Sequence, residues 1–237
     1  MKFFIDKNNC VKIESEKPQQ ILQYKWEVDA NLYSIIKRKK EKRRAGRPLG
    51  DNCPMLYALK KSDGLFSDEE TIKKLFLYAR NSIKDHFKSN FPFDTVIVIP
   101  SKHNIGYKLA KIIGELYKVH IVTDYLMKNT PQDAIDEIIN NPHINSAIKQ
   151  RIKTAIQRDM KNLTIKGLTP KDRIYIPILS VKKVSLPANI SNVLLIDDVY
   201  TSGTTLKRAK TLIEQYSPQV ISISALTLFS PLSKKYV

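Results

Sequence analysis

The sequence predicts an α/β protein built on a Rossmann-like parallel sheet of about five strands flanked by helices. Three observations lead there. Apolar, β-branched runs recur at residues 94–100, 119–122, 174–179, 193–196 and 220–228. Stretches with helical spacing separate most of them. The runs at 94–100 and 193–196 each open into a polar loop and then a helix, the rhythm of strand–helix–strand crossovers with a right-handed sense. In such a sheet, ligands bind beyond the carboxyl ends of the strands.

Taken in order, residues 1–16 alternate as a hairpin, with a turn at Asp6-Lys7-Asn8-Asn9. Residues 37–47 carry eight Lys or Arg in eleven positions and end at Arg47-Pro48. A run of this kind is either a solvated arm or a contact for a nucleic-acid backbone. Ser67-Asp68-Glu69-Glu70 reads as a capping box, and Ile72, Leu75, Phe76, Ala79, Ile83 and Phe87 continue it as a helix. The strand at 94–100 runs into Ser101-Lys102-His103-Asn104, and a helix is predicted over 105–117.

Residues 124–172 break the rhythm. They end in a helix with Ile144, Ala147, Ile148, Ile152, Ala155 and Ile156 on one face. Ten Lys or Arg stand between Lys149 and Lys183 against Asp159 and Asp172 alone. The expectation is a mobile cationic hood inserted above the ligand edge. The predicted division is a basic N-terminal extension over 1–55 and a main domain over 56–237 that carries the hood.

Bulk properties narrow the function. The net charge of +17 is spread evenly, with 20 basic and 12 acidic residues in 1–92 and 20 and 11 in 93–237. This suits a polyanionic substrate, a nucleic acid, or both. No apolar run reaches the ~18 residues of a membrane span. The start Met-Lys-Phe-Phe-Ile-Asp-Lys lacks a long export segment, so a cytoplasmic location is expected. Cys10 and Cys53 are too few for a disulfide scaffold or a cysteine-rich zinc site.

The most informative stretch is Val193-Leu-Leu-Ile-Asp197-Asp198-Val199-Tyr200-Thr201-Ser202-Gly203-Thr204-Thr205. A buried strand ends in two carboxylates. Hydroxyls around one glycine follow, and then a helix with Leu206, Ala209, Leu212, Ile213 and Tyr216 on one side. The helix start offers free N–H groups and a positive dipole end to a phosphate. Gly203 lets the backbone close on the anion. Two carboxylates beside that cradle call for a ligand that also carries hydroxyls or a metal. A ribose 5-phosphate meets both needs: its phosphate sits at 201–205 and its hydroxyls donate to Asp197 and Asp198. No Walker loop and no G-x-G-x-x-G is present.

This stretch resembles the phosphoribosyl pyrophosphate (PRPP) motif of type I phosphoribosyltransferases, and residues of about 56–228 are closest in layout to the ComF-like subgroup. The resemblance implies a type I phosphoribosyltransferase fold, Mg²⁺ carried with PRPP, and a role in nucleotide metabolism. The expected activity transfers the phosphoribosyl group to a nitrogen acceptor with release of pyrophosphate.

By the same resemblance Asp197, Asp198 and Lys102 are the catalytic candidates, with Asp197 and Asp198 also facing Mg²⁺. Val199, Tyr200, Thr201, Ser202, Gly203, Thr204 and Thr205 form the 5-phosphate loop. Pro100, Ser101, Lys102 and His103 form the pyrophosphate loop. Lys128, Arg151 and Arg158 are hood cations chosen by region.

The chain departs from the family at three points. Ile105-Gly106-Tyr107-Lys108 lacks the arginine of the ComF-like Arg-Gly-Phe-Asn string, Cys10 and Cys53 make no Cys-x-x-Cys, and Thr201 stands where purine-salvage relatives carry an aspartate base. The alternative is a sensor of PRPP or a nucleotide that binds DNA or RNA through the Lys37–Arg47 run and the basic hood, without turnover. A homodimer or a protein partner is a further expectation.

Overall fold

The computed structural model describes residues 1–15, 20–27, 30–38, 53–158, 160, 163, 169–173, 175–182 and 186–231. Most of the Lys37–Arg47 run, from Lys39 onward, lies outside them.

In chain order the elements are β1 (Lys2–Ile5), β2 (Val11–Ser15), β3 (Leu22–Glu27), β4 (Ala30–Lys37), α1 (Pro54–Leu59), α2 (Glu69–Phe87), β5 (Thr95–Val98), α3 (Ile105–Tyr117), β6 (His120–Val122) and β7 (Leu126–Lys128). They continue with α4 (Pro131–Asn140), α5 (Ser146–Gln157), α6 (Pro170–Arg173), β8 (Leu179–Val181), β9 (Asn192–Val199), α7 (Thr204–Tyr216) and β10 (Ser222–Ser230). The chain divides into two compact units. The first holds Met1–Thr123, Ala188–Thr201 and Gln219–Val237, and the second holds Asp124–Pro187 and Ser202–Pro218.

In the first unit a six-stranded sheet has the order β3-β4-β10-β9-β5-β6. Only β3–β4 is antiparallel; the other four pairings are parallel. The class is therefore α/β with a mostly parallel sheet, as predicted, but the membership differs. Among the described residues of the strand expected at 174–179, none joins this sheet. Leu179–Val181 instead pairs antiparallel with Leu126–Lys128 in the second unit. The place is filled from the N-terminal side by β3 and β4. Strands β3 and β4, from the residues expected to form an N-terminal extension, are therefore part of the main sheet.

The local chemistry explains the elements. The β1–β2 turn is closed by the Asp6 carboxylate, whose Oδ1 accepts from the amides of Asn8 and Cys10, both at 2.9 Å. Helix α2 starts one residue later than the predicted capping box. Asp68, not Ser67, is the cap, accepting from the Thr71 amide at 2.7 Å, while the Ser67 hydroxyl donates to the Val11 carbonyl. The helix packs Leu75, Ala79 and Ile83 into a core with Leu109 and Ile113 of α3 and with Val96, Val98, Leu194, Ile196, Leu226 and Leu228 of the sheet. Each of these Leu, Ile and Val side chains contributes about 1.5–3 kcal/mol on burial.

In the second unit Ala134, Ile135, Ile138, Ile144, Ile152, Ile156 and Ile176 form a small core between α4 and α5. Helix α4 has no counterpart among the predicted elements. It opens on a reciprocal cap in which the Thr130 hydroxyl accepts from the Asp133 amide and the Asp133 carboxylate accepts from the Thr130 amide, with Pro131 in the first turn. Helix α5 carries most of the predicted apolar face: Ile152 and Ile156 are buried and Ile148 and Ala155 pack against that core, while Ala147 is exposed and Ile144 is buried just before the helix.

Candidate functional site

Strand β9 does not stop at Ile196. It runs through both acids to Val199, with Asp197 opposite Thr227 and Val199 opposite Phe229 of β10. Successive strand residues face opposite sides of the sheet. The two carboxylates are therefore split between its faces instead of sitting together in a loop.

Asp198 lies on the face of the helical core, with Ile196 and Leu194. It is 5% exposed and ion-paired to Lys60, the residue that follows α1, at 2.7 Å between Nζ and Oδ2. Asp197 is half-buried on the other face, and its Oδ1 accepts from the Asp198 amide at 2.8 Å. Burial, and then the neighbouring Asp198 carboxylate, push the Asp197 carboxyl up to about 7. The two acids thus have different environments: Asp198 is paired with a cation, while Asp197 has no cation against it among the described residues and is raised by burial and by its neighbour.

The loop after β5 lies at the same sheet edge. Val98 is opposite Ile196, and the Ile99 amide donates to the Ile196 carbonyl at 2.9 Å, so Pro100–His103 leave the sheet next to the acids. Ser101 and Lys102 are exposed, and the His103 amide donates to the Ser101 hydroxyl at 3.2 Å. Gly106, at the start of α3, passes close to this edge: a Cβ there would lie 3.5 Å from Val98 Cγ1 and 3.6 Å from the Ile196 carbonyl oxygen. Tyr200 continues beyond β9, donating its amide to the Phe229 carbonyl at 2.9 Å, and burial raises its hydroxyl pKa.

The division between units falls inside the motif, after Thr201. In the second unit the Ser202 and Thr204 hydroxyls are 3.0 Å apart. Gly203 caps α7 in a left-handed conformation, φ 75°, which a side chain there would strain. Among the described residues no side chain caps this helix start, so the first-turn amides keep their capacity to meet an anion. Leu206, Ala209, Leu212 and Ile213 of α7 are buried as predicted; Tyr216 is exposed.

The three hood cations differ. The Arg151 guanidinium is committed to Asp172, its Nε donating to Oδ2 at 3.0 Å with a second contact from its terminal nitrogen, so it is a structural tie between α5 and α6. Lys128 on β7 and Arg158 at the end of α5 are exposed. A fourth cation, unmarked in the sequence, is Arg208 of α7, which donates to the Leu179 carbonyl at 3.1 Å and pairs with Glu137 at 2.6 Å.

Among the described residues no group of three or more His, Cys, Asp or Glu is placed to hold a metal ion by itself. Mg²⁺ carried by a phosphate ligand needs only one or two carboxylates; Asp197 is an oxygen donor of that kind, whereas Asp198 is committed to Lys60 on the other face. Among the described residues, no helix is long and apolar enough to cross a membrane. No family model matches the chain, and no curated protein matches it.

Proposed function

We propose that this chain is a phosphoribosyltransferase-like protein with the type I fold, closest to the ComF-like subgroup, acting in the cytoplasm on PRPP. The observation that carries the reading is the unbroken string Asp197–Thr205, which joins a strand-end acid pair to an uncapped helix start through a left-handed glycine. In this reading the amides and hydroxyls of 201–205 hold the 5-phosphate. Asp197 accepts from a ribose hydroxyl. Lys102 and the Pro100–His103 loop face the leaving pyrophosphate, which Mg²⁺ carried with PRPP would charge-neutralise.

Attack on C1 by a nitrogen nucleophile passes through a transition state with positive charge on the sugar, so positioning and charge stabilisation supply the catalysis. With Thr201 at the position of the purine-salvage aspartate, the acceptor is one that needs no base from this loop. Isothermal titration with PRPP and Mg²⁺ tests the reading: binding is expected, and Asp197→Asn with Asp198→Asn should weaken it at least tenfold. Unchanged affinity in that double variant would sink the assignment.

The +17 charge favours a second reading, a PRPP- or nucleotide-responsive protein that binds nucleic acid without turnover. Pyrophosphate release in the presence of nitrogen acceptors separates the two.

A further inference from the structure

Three residues form a polar row across the middle of the sheet: Ser34 of β4, Thr227 of β10 and Asp197 of β9 are register partners on one face. The Ser34 hydroxyl turns along its own strand and donates to the Ile36 carbonyl at 3.4 Å. The Thr227 hydroxyl is different. The residue is 0% exposed, and its Oγ1 has no hydrogen-bond partner among the described residues. A buried hydroxyl without a partner is costly and calls for a physical explanation. Strand neighbours lie about 4.8 Å apart, so rotation about a single bond brings the Thr227 hydroxyl within reach of the Asp197 carboxylate.

Asp198 cannot play the same part, because it faces the other side of the sheet and is held by Lys60.

We infer that Thr227 is a positioning residue for Asp197, donating its hydroxyl to one carboxylate oxygen so that the other meets the 2-hydroxyl of a ribose-phosphate ligand. This rests on the reading of Asp197 as the ligand's hydroxyl acceptor. It gives the two acids separate tasks: Asp197 with Thr227 recognises the sugar, and Asp198 with Lys60 fixes the strand end.

The test is titration of the full chain with ribose 5-phosphate and with 2-deoxyribose 5-phosphate, alongside thermal unfolding without ligand. Thr227→Val, an isosteric change that removes the hydroxyl, should leave the chain folded, with a cooperative unfolding transition. It should also reduce the preference for ribose over deoxyribose about tenfold. Thr227→Ser should keep that preference within about twofold. In an Asp197→Asn background, Thr227→Val should have no further effect on the preference.

An unaltered preference in Thr227→Val overturns the inference. So does equal weakening toward both sugars, or a Thr227→Val chain that does not fold, since either marks a purely structural hydroxyl. If the unsubstituted chain binds ribose 5-phosphate without preferring it to the deoxy sugar, Asp197 is not its hydroxyl acceptor and the inference falls with that assignment. If the unsubstituted chain binds neither sugar phosphate nor PRPP, the proposed function fails first, and that is visible before any variant is made.

Discussion

Lys60 Nζ and Asp198 Oδ2 lie 2.7 Å apart, joining the residue after α1 to the C-terminal end of β9. Lys60 keeps 27% of its side chain exposed while Asp198 keeps 7%. The pair therefore sits between a surface salt bridge and a fully buried one. Removing the cation leaves a carboxylate in the core, and that loss outweighs the worth of the pair itself. Lys60→Ala should destabilise the protein by roughly 2–3 kcal/mol, below the range for fully buried pairs. Lys60→Ala with Asp198→Ala should cost less than the sum of the single changes, by urea unfolding. Additive costs would show that the two groups do not interact.

Asp197 makes stability depend on pH with a definite sign. Its carboxyl is raised from the ordinary carboxylate range to about 7 in the folded protein. A raised acid contributes stability that is fully present below the unfolded value, near 4, and is lost as pH rises through 7. The loss is at most about 4 kcal/mol. Asp197→Asn removes the titration, so the variant should gain on the unsubstituted chain between pH 5 and pH 8. Parallel pH curves for the two proteins would contradict this.

Asp68 shows the opposite sign. The Thr71 amide, and then Lys12 at 3.0 Å, hold its carboxyl well below the usual carboxylate range. Its contribution is present above pH 4 and disappears in acid. Asp68→Ala should cost about 1–2 kcal/mol at pH 7, mostly through removal of the cap, because the pair with Lys12 is exposed. Asp68→Ser should recover most of that cost in thermal unfolding.

The Lys37–Arg47 run makes a prediction about salt. If it tracks a phosphate backbone, binding of a short duplex should weaken steeply with ionic strength. Replacing Lys39, Lys40, Arg43 and Arg44 by Gln should flatten the slope by up to ~3–4, about 0.9 for each phosphate that is no longer neutralised. The matched control replaces Lys149, Lys153, Lys161 and Lys166. Disappearance of the salt dependence in the control alone would make the run a solvated arm.

Much of this architecture is legible in the sequence where one period dominates. The continuous apolar runs mark β5, β9 and β10, and helical spacing marks α2, α3, α5 and α7. Strand β4 is hidden because Asn31 and Ser34 interrupt its apolar residues. Inside the fold the Asn31 backbone N–H donates to the Ser224 hydroxyl at 3.1 Å, and the Ser34 hydroxyl donates to its own strand. Residues 174–179 mislead because an apolar run alone does not name its partner strand. The acid pair is legible as chemistry but not as geometry. That β9 continues through both carboxylates follows from pairing with β10, and the Lys60 contact comes from a residue remote in sequence. The Thr130–Pro131–Asp133 start of α4 is a readable capping signal, and Pro131, Ala134, Ile135 and Ile138 keep helical spacing behind it, so this helix is legible in the sequence too.

The placement of β10 between β4 and β9 has a consequence for synthesis on the ribosome. Strand β4 is translated early, yet its parallel partner is the last strand of the sheet to emerge. Closing that loop carries the entropy of a long chain segment, and the pairing makes for slow folding. In the interval one side of β4, with the apolar Ile35 and Ile36, has no strand beside it and is open to neighbouring nascent chains. A polysome making this protein holds many such edges at once, and the protection each needs ends only when Ser222–Ser230 arrives.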